Sequence, residues 1–346
     1  MEKLRLLLIK PFDHAQDRPG ENHPSVLDQS LGARLAALHG PAQELVDLEE
    51  DSFDRADPAD LEKKVSCWSE KISGVVGATN VAESTRLGEI AEKLNVLCFV
   101  ANNNVSVWQR RRQVFHIGLP TAQTARAVAE LLKRAGVNGV FLLYDETEFQ
   151  SRVAESMISA LEKSAIRGIS RPGSETGWII EARNWKPELV YLIYSEENRA
   201  LPLARLVKEE LPETLLLVGR SLLRSSFIAS LGSAAEGILF VDLFRRDKEV
   251  AGQEFLFRRA LLQEGIDCPT ANHGFGWDAM SLCALALSNG DGDPLRAVAY
   301  LESPRTIEGV TGRFLFSSEN HNGREGFGPT TITRWHNGRI EDAYYL

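Results

Sequence analysis

The sequence predicts an α/β fold built on parallel sheets. Short β-branched and apolar runs alternate along the chain with longer segments of helical periodicity, which is typical of parallel strands covered by helices. Nine strand segments are predicted before the C-terminal region. This number exceeds the number of strands that a single small sheet contains. The length of 346 residues, at about 150 residues per domain, favours two domains.

The predicted elements follow one another with short connections. The strands lie at residues 4–9, 44–48, 72–77, 96–100, 114–117, 139–144, 189–194, 215–218 and 237–241. The helices lie at residues 26–38, 58–71, 83–94, 121–135, 150–164, 199–210, 248–264, 274–288 and 294–301. Asp57 before Pro58, and Pro120 before Thr121, are typical helix starts.

The last part of the chain changes character and predicts β-structure. Glycines at 309 and 312 precede the apolar run 313–316, and residues 330–335 alternate between apolar and polar side chains. The pair Asn337-Gly338 that follows is a strong hairpin signal.

Composition and charge exclude several classes of protein. Hydrophobic residues make up 43% and charged residues 25%, as in ordinary globular proteins. With 39 basic and 48 acidic residues the net charge is −9, so nucleic acid and anionic membranes are not expected partners. The cysteines lack metal-type spacing and are predicted as buried thiols rather than a disulfide framework; they are Cys67, Cys98, Cys268 and Cys283.

The first apolar run, residues 4–9, is too short to span a membrane and lacks the features of a secretory signal. Two locations stay open. The protein is either cytoplasmic, or it is the mature form of an exported protein with Met1 added for expression.

The motifs of common catalytic sites are missing. There is no GxGxxG after the first strand, no GxxxxGK[ST] and no GxSxG, since residues 173–177 read Gly-Ser-Glu-Thr-Gly. The seven histidines include no i, i+4 pair. We therefore predict no catalytic residues, no cofactor and no metal site.

A series of short segments carries a family resemblance in the correct order along most of the chain. They are the acidic strand end 49–51, Ile72-Ser73-Gly74-Val75-Val76-Gly77, Asn95-Val96-Leu97-Cys98-Phe99, Val114-Phe115-His116-Ile117, Val140 to Asp145, Glu148-Phe149, Ala235-Glu236-Gly237-Ile238, Gly276-Trp277-Asp278-Ala279 and Gly309-Val310-Thr311-Gly312. The series resembles the type I periplasmic binding proteins, in particular the leucine/isoleucine/valine-binding receptors of ABC transporters.

This resemblance implies two doubly wound parallel-sheet lobes joined by three crossovers, the Venus-flytrap architecture. Lobe one would comprise residues 1–118 and 243–326, and lobe two residues 119–242 and 327–346. The ligand would lie in the cleft between them, at the carboxyl ends of the strands. Helix N-termini at such an edge offer N–H groups and a positive dipole end, which suits a small carboxylate or an amino acid.

The resemblance also places ligand contacts. From lobe one they are Asn80, Val81, Asn102, Asn103 and Asn104, from lobe two Phe149, Ser195, Arg220 and Ser221, and from the hinge side Asn272 or His273. Alternatives stay open, because an Asn run also forms turns and Phe149 also suits a core. Arg220 either points into the cleft, where it favours an acidic group on the ligand, or outward into solvent.

One departure from the family bears on the ligand. Members that bind an α-amino acid often place an acidic group on the ammonium, whereas this chain has Arg220 and Ser221 near that position. Since a buried ammonium without a partner is costly, a zwitterionic ligand is less secure than the fold.

The resulting hypothesis is a non-catalytic solute-binding protein of the periplasm or another extracytoplasmic space. It would capture a small polar ligand by hinge closure and deliver it to an ABC permease. One alternative is a cytoplasmic ligand sensor of the same fold that controls a regulatory partner. The other is an α/β enzyme acting on a small carboxylate, which predicts a cluster of acid, base or nucleophile.

Overall fold

The structure is a computed structural model that describes residues 3–12, 24–41, 43–54, 57, 59–68, 72–77, 80–102, 107–109, 111–175, 177–246, 250–324 and 329–345. The chain forms two compact units and passes between them three times. Unit 1 comprises Met1–Pro120 and Val250–Gly326, and unit 2 comprises Thr121–Glu249 and Phe327–Leu346. The predicted α/β class is confirmed.

The strands, in chain order, are β1 (Leu4–Phe12), β2 (Val46–Asp54), β3 (Gly74–Gly77), β4 (Leu97–Val100), β5 (Val114–His116), β6 (Gly139–Tyr144), β7 (Arg167–Pro172), β8 (Leu189–Ile193), β9 (Leu215–Val218), β10 (Leu239–Asp242), β11 (Ile307–Gly309), β12 (Gly312–Phe314), β13 (Thr331–His336) and β14 (Arg339–Tyr345). The α-helices are α1 (Pro24–His39), α2 (Asp60–Trp68), α3 (Val81–Leu94), α4 (Thr121–Arg134), α5 (Glu148–Lys163), α6 (Trp178–Trp185), α7 (Glu197–Glu210), α8 (Ser225–Leu231), α9 (Gly252–Gln263), α10 (Ala271–Asn289) and α11 (Pro294–Glu302).

Unit 1 is built on a parallel sheet in the order β2-β1-β3-β4-β5. Leu7 and Ile9 of β1 belong to the apolar core that includes Val65 of α2 and Leu87 of α3. On the other face, Gly74 of β3 lies against side chains of α10. Helices therefore cover both faces, which explains why the four residues of β3, and likewise of β4, are all buried.

Unit 2 is built on a sheet in the order β14-β13-β10-β9-β8-β6-β7. Strands β6 to β10 pair in parallel, while β13 pairs antiparallel with both β10 and β14. Side chains of α4 and α5 share a buried core with Val140 and Leu142 of β6. Phe141, on the other face of β6, contacts Trp178 and Trp185 of α6.

The predicted C-terminal hairpin is confirmed as β13 and β14. Its turn residues Asn337 and Gly338 have φ values of 51° and 79°, the left-handed conformations that the tight hairpin turn needs.

Three elements of unit 2 were not predicted, the strand β7 and the helices α6 and α8. The strand reads Arg-Gly-Ile-Ser-Arg-Pro and carries a single large apolar side chain, Ile169. It is an edge strand, paired with β6. The helix α6 has only eight residues, too few to show a helical period clearly.

The second passage between the units lies at residues 249/250. A set of polar contacts holds residues 243–246 on unit 2. The backbone N–H groups of Leu243 and Phe244 donate to Asp242, and that of Arg246 donates to Asp342 of β14 over 2.6 Å.

The prediction of buried thiols is confirmed for Cys98 and Cys283 and corrected at two positions, because Cys67 is exposed at the end of α2 and Cys268 is partly exposed. Burial raises the pKa of both buried thiols. In the described part of the chain, no helix is long and apolar enough to cross a membrane.

Candidate ligand-binding site

In unit 1, the chain that follows β3 enters α3 with an exposed polar cap. The side chain of Asn80 accepts a hydrogen bond from the backbone N–H of Glu83 over 2.8 Å. Asn80 and Val81 are both exposed, at 39% for Val81. The first N–H groups of a helix lack partners within it, so this end of α3 suits an anionic group.

Asn102, a predicted ligand contact, lies just after β4. It is buried, and its Oδ1 lies 3.3 Å from Nε2 of His116. His116 Nδ1 accepts from the Asn322 amide over 2.7 Å, so the His116 proton is on Nε2 and donates to Asn102. Burial lowers the pKa of His116 to about 3, which keeps the ring neutral. The predicted contacts Asn103 and Asn104 lie outside the described residues.

His273 has a structural role in unit 1 that the sequence did not reveal. Its Nδ1 accepts from the backbone N–H of Thr270 over 3.1 Å and so closes the capping box of α10. Its Nε2 lies 3.6 Å from the carboxylate of Asp28 on α1, and the residue is 3% exposed. These contacts involve both ring nitrogens of His273, whereas Asn272, the alternative predicted contact, is half-buried.

In unit 2, Phe149 lies in the first turn of α5 and is 44% exposed, which excludes the core alternative. Thr147 caps the same helix by accepting from the N–H of Gln150 over 3.3 Å. The side-chain amide of Gln150 donates to the hydroxyl of Ser195, the second residue after β8. Phe149, Gln150 and Ser195 thus follow the carboxyl ends of two adjacent strands.

Arg220 lies just after β9, and its charge is directed into unit 2 rather than into solvent. Its Nη1 atom is buried, and burial lowers the pKa of the guanidinium. Burial raises the pKa of Tyr191 to about 12, and the nearby guanidinium acts against that rise. The desolvated guanidinium does not fit the outward, solvated alternative for Arg220. Ser221, next along the chain, is half-buried, and its carbonyl accepts from Arg224 over 3.1 Å.

Two buried acids flank these residues at the strand ends of unit 2. Asp145, directly after β6, pairs with Arg199 of α7 over 2.7 Å. Asp242, at the end of β10, accepts from Arg246 over 2.6 and 2.9 Å. Each carboxylate pairs with a guanidinium, and the Oδ1 atom of Asp145 is buried without a hydrogen-bond partner.

Sequence reasoning missed Asp145, Gln150 and Tyr191. Asp145 carried a usable signal, since it is the first residue after an apolar strand. Tyr191 carried none, because it stands within a buried strand and its relation to Arg220 depends on the fold. Within the described ranges, no group of three or more His, Cys, Asp or Glu side chains is placed to hold a metal ion.

The chain forms two α/β units and passes between them three times, and polar side chains follow the parallel strands of each unit. This arrangement is the fold of type I periplasmic binding proteins. A model of the family described as "Periplasmic binding protein" matches residues 54–339. The protein belongs to this family, and the resemblance found in the sequence is confirmed.

Solved structures share the fold at low sequence identity. A leucine binding protein LivK from Thermotoga maritima has a TM-score of 0.75 and 17% identity, with 99% of this chain and 98% of that chain covered. A putative branched-chain amino acid ABC transporter from Rhodospirillum rubrum has a TM-score of 0.78 and 17% identity, with 99% and 100% covered. A solute binding protein from R. palustris in complex with benzoate has a TM-score of 0.73 and 16% identity, with 99% and 96% covered. A search of curated proteins found no match.

Proposed function

We propose that this protein is the extracytoplasmic solute-binding component of an ABC transporter, and that it binds its solute without catalysis. The observation that carries the proposal is the family match over residues 54–339. Structures of the same fold include proteins described as an ABC transporter and as a solute binding protein of one. Its partners would be the membrane subunits of a permease.

The ligand we infer is a small carboxylate. The buried cation of Arg220 in unit 2 and the start of α3 in unit 1 both suit an anion. The remaining contacts we propose supply three kinds of group. They are the side-chain amides of Asn80, Asn103 and Asn104, the hydroxyls of Ser195 and Ser221, and the apolar side chains of Val81 and Phe149. Leucine and benzoate, named for two structures of this fold, both carry a carboxylate.

A carboxylate without an ammonium group is the better candidate. An amino acid needs a carboxylate partner for its ammonium, and the buried acids at the described strand ends of unit 2, Asp145 and Asp242, are each paired with an arginine. The positive charge of Arg220 would also repel an ammonium. An aromatic or aliphatic carboxylate avoids both costs, and the exposed ring of Phe149 suits its apolar part.

The enzyme alternative is less well supported. Nucleophilic catalysis by a serine needs an adjacent base, usually a histidine. The hydroxyl of Ser195 instead accepts from the amide of Gln150, which cannot take up a proton. At this strand end, the geometry supports binding rather than bond cleavage.

A thermal-shift screen tests the proposal. The panel should include benzoate, phenylacetate, a branched aliphatic acid and L-leucine. A ligand at about 100 times its Kd adds about 2.7 kcal/mol to the unfolding free energy and raises the Tm measurably. We expect a simple carboxylate to raise the Tm more than L-leucine. Turnover of any compound in the panel would contradict the non-catalytic assignment.

The role of Arg220 is tested with the best compound of that screen. Arg220→Met should weaken binding by about 10- to 100-fold, since it removes a charged hydrogen-bond donor. The control is Arg152→Met on α5, where the arginine side chain is 64% exposed and pairs with Glu148. Calorimetric titration should show an unchanged Kd for the control. Equal affinities for wild type and Arg220→Met would exclude Arg220 from the site.

A further inference from the structure

Three buried polar side chains of unit 1 form a continuous chain of hydrogen bonds. Asn102 follows β4, His116 ends β5, and Asn322 lies in the return segment after β12; they are 8%, 0% and 5% exposed. The Asn322 amide donates to His116 Nδ1 over 2.7 Å, and His116 Nε2 lies 3.3 Å from Asn102 Oδ1. Each member of the chain is thus connected to the next.

The same network is anchored on backbone near two of the three passages between the units. The Asn322 amide also points at the carbonyls of His116 and Gly118, at 3.2 and 3.0 Å. Arg324, two residues further, donates from Nε to the carbonyl of Ile117 over 3.1 Å. The chain leaves unit 1 after Pro120 and again after Gly326, so both exit segments are connected to each other here.

The donors and acceptors allow only one orientation of the Asn102 amide. His116 accepts at Nδ1 from an NH2 group, so its single proton is on Nε2 and faces Asn102. The side-chain oxygen of Asn102 accepts at that nitrogen, and the Asn102 backbone also hydrogen-bonds the ring. A buried amide fixed in this way does not rotate, because rotation would place two donors against each other.

We propose that His116 and Asn322 are positioning residues for solute binding, which hold the end of β4 at Asn102 in its binding geometry and connect it to the two exit segments of unit 1. This inference rests on the proposed function, since it takes the end of β4 as part of the binding site. Neither residue contacts the solute in this scheme. Their effect on affinity is transmitted through Asn102.

The first part of the test needs no ligand. The side-chain amide signals of Asn102 are compared by ¹⁵N NMR in wild type, His116→Gln and Asn322→Ala. We expect both variants to shift these signals and to accelerate amide hydrogen exchange at Asn102. The control is His273→Gln, which removes another buried histidine of unit 1 that closes the α10 cap. It should leave Asn102 unchanged.

The second part measures affinity for benzoate and for L-leucine by calorimetry, at a temperature where all variants are folded. We expect at least about a tenfold loss of affinity in His116→Gln and in Asn322→Ala. His273→Gln should lose stability but keep the wild-type Kd. If His116→Gln does not fold, the affinity of Asn322→Ala alone tests the positioning role.

The outcomes separate the two proposals. If His116→Gln and Asn322→Ala bind the solute with the same Kd as wild type, the positioning role is overturned. The proposed solute-binding function is then unaffected. If no carboxylate or amino acid binds the wild type, the proposed function fails. Unchanged Asn102 signals in both variants overturn the positioning role whether or not the wild type binds a solute.

Discussion

At the residue scale, the interior of unit 1 depends on buried polar groups that satisfy one another. Asp278 of α10 accepts from the N–H groups of Val310 and Thr311 over 2.7 and 2.9 Å, and from the Thr311 hydroxyl. Arg324 donates to the same hydroxyl over 2.7 Å and lies 4.0 Å from the ring of Phe314. Burial raises the pKa of Asp278, while Arg324 and these hydrogen bonds act in the opposite direction.

Replacing Asp278 with Ala should destabilise the protein by about 3–5 kcal/mol, because two backbone donors and the Thr311 hydroxyl lose their acceptor and Arg324 loses a nearby negative charge. The control is Asp267→Ala at an exposed position, which should change stability by less than about 0.5 kcal/mol. Equilibrium urea unfolding measures both values. Similar small losses in the two variants would show that the network contributes little.

His116 predicts a specific loss of stability in acid. Its pKa is about 3 in the folded protein, against 6.5 for an exposed histidine, so falling pH protonates the unfolded chain first. The contribution is complete above pH 6.5 and is lost between pH 6.5 and 3. At pH 5 it is smaller by about 2 kcal/mol than at pH 8.

The His116→Gln variant isolates this contribution. Its own loss of unfolding free energy between pH 8 and pH 5 should be about 2 kcal/mol smaller than that of wild type. Urea titrations at the two pH values, with the same buffer ionic strength, give the four energies required. An identical pH-dependent loss in both proteins would mean that His116 is protonated in the folded state.

At the scale of elements, the packing of α1 on α10 depends on two glycines. A Cβ atom at Gly32 would lie 1.9 Å from the carbonyl oxygen of His273, and one at Gly276 would lie 1.9 Å from that of Gln29. Both obstacles are backbone atoms, which cannot move aside as a flexible side chain can. The two helices therefore approach as closely as their backbones allow.

Gly276→Ala should destabilise the protein by at least about 2 kcal/mol, since α1 and α10 must separate. The matched control is Gly88→Ala in α3, where the nearest contacts are side-chain atoms of Val114 and Arg111 at 3.1 and 3.2 Å. There the gain in helix propensity, about 1 kcal/mol, offsets the crowding. Thermal unfolding of both variants checks the difference. A Gly276→Ala protein as stable as wild type would contradict this account of the helix contact.

Elements with a strong apolar period were predictable, and those defined by their neighbours were not. The buried strand β6 was predicted with its observed bounds, since all six of its residues fit an apolar run. β2 runs from Val46 to Asp54 although three acids follow Leu48, because it pairs with β1 along its whole length. β7 and α6 are connected by Arg171, whose guanidinium binds Glu181 over 2.7 and 2.8 Å.

At the scale of the whole molecule, each unit is assembled from segments that are distant in sequence. Unit 2 takes its edge strands β13 and β14 from the end of the chain. Asp342 of β14 contacts Arg245 over 3.2 Å and the N–H of Arg246 over 2.6 Å. These contacts hold the segment after β10 on unit 2 and set the position of the second passage.

Asp342→Asn should loosen this part of unit 2 selectively, by about 1–3 kcal/mol, since it removes a buried charge that binds the Arg245 guanidinium and the Arg246 backbone N–H. Hydrogen exchange followed by mass spectrometry should show faster exchange in residues 239–246 and 331–345. Peptides of α3 in unit 1 should exchange as in wild type. Equal acceleration in both units would show instead that they unfold as one body.

The sequence by itself determined the α/β class, the order of most elements, the hairpin at Asn337-Gly338 and the family, because these depend on local periodicity, turn chemistry and segment order. Tertiary structure alone decided which polar residues are buried and bonded. In the sequence, Asn102, His273 and Arg220 are ordinary polar residues. In the structure, Asn102 contacts His116, His273 caps a helix and Arg220 has a buried Nη1 atom. The physical reason is that hydrogen bonds and charges act between residues far apart in the chain, over distances that only the folded backbone sets.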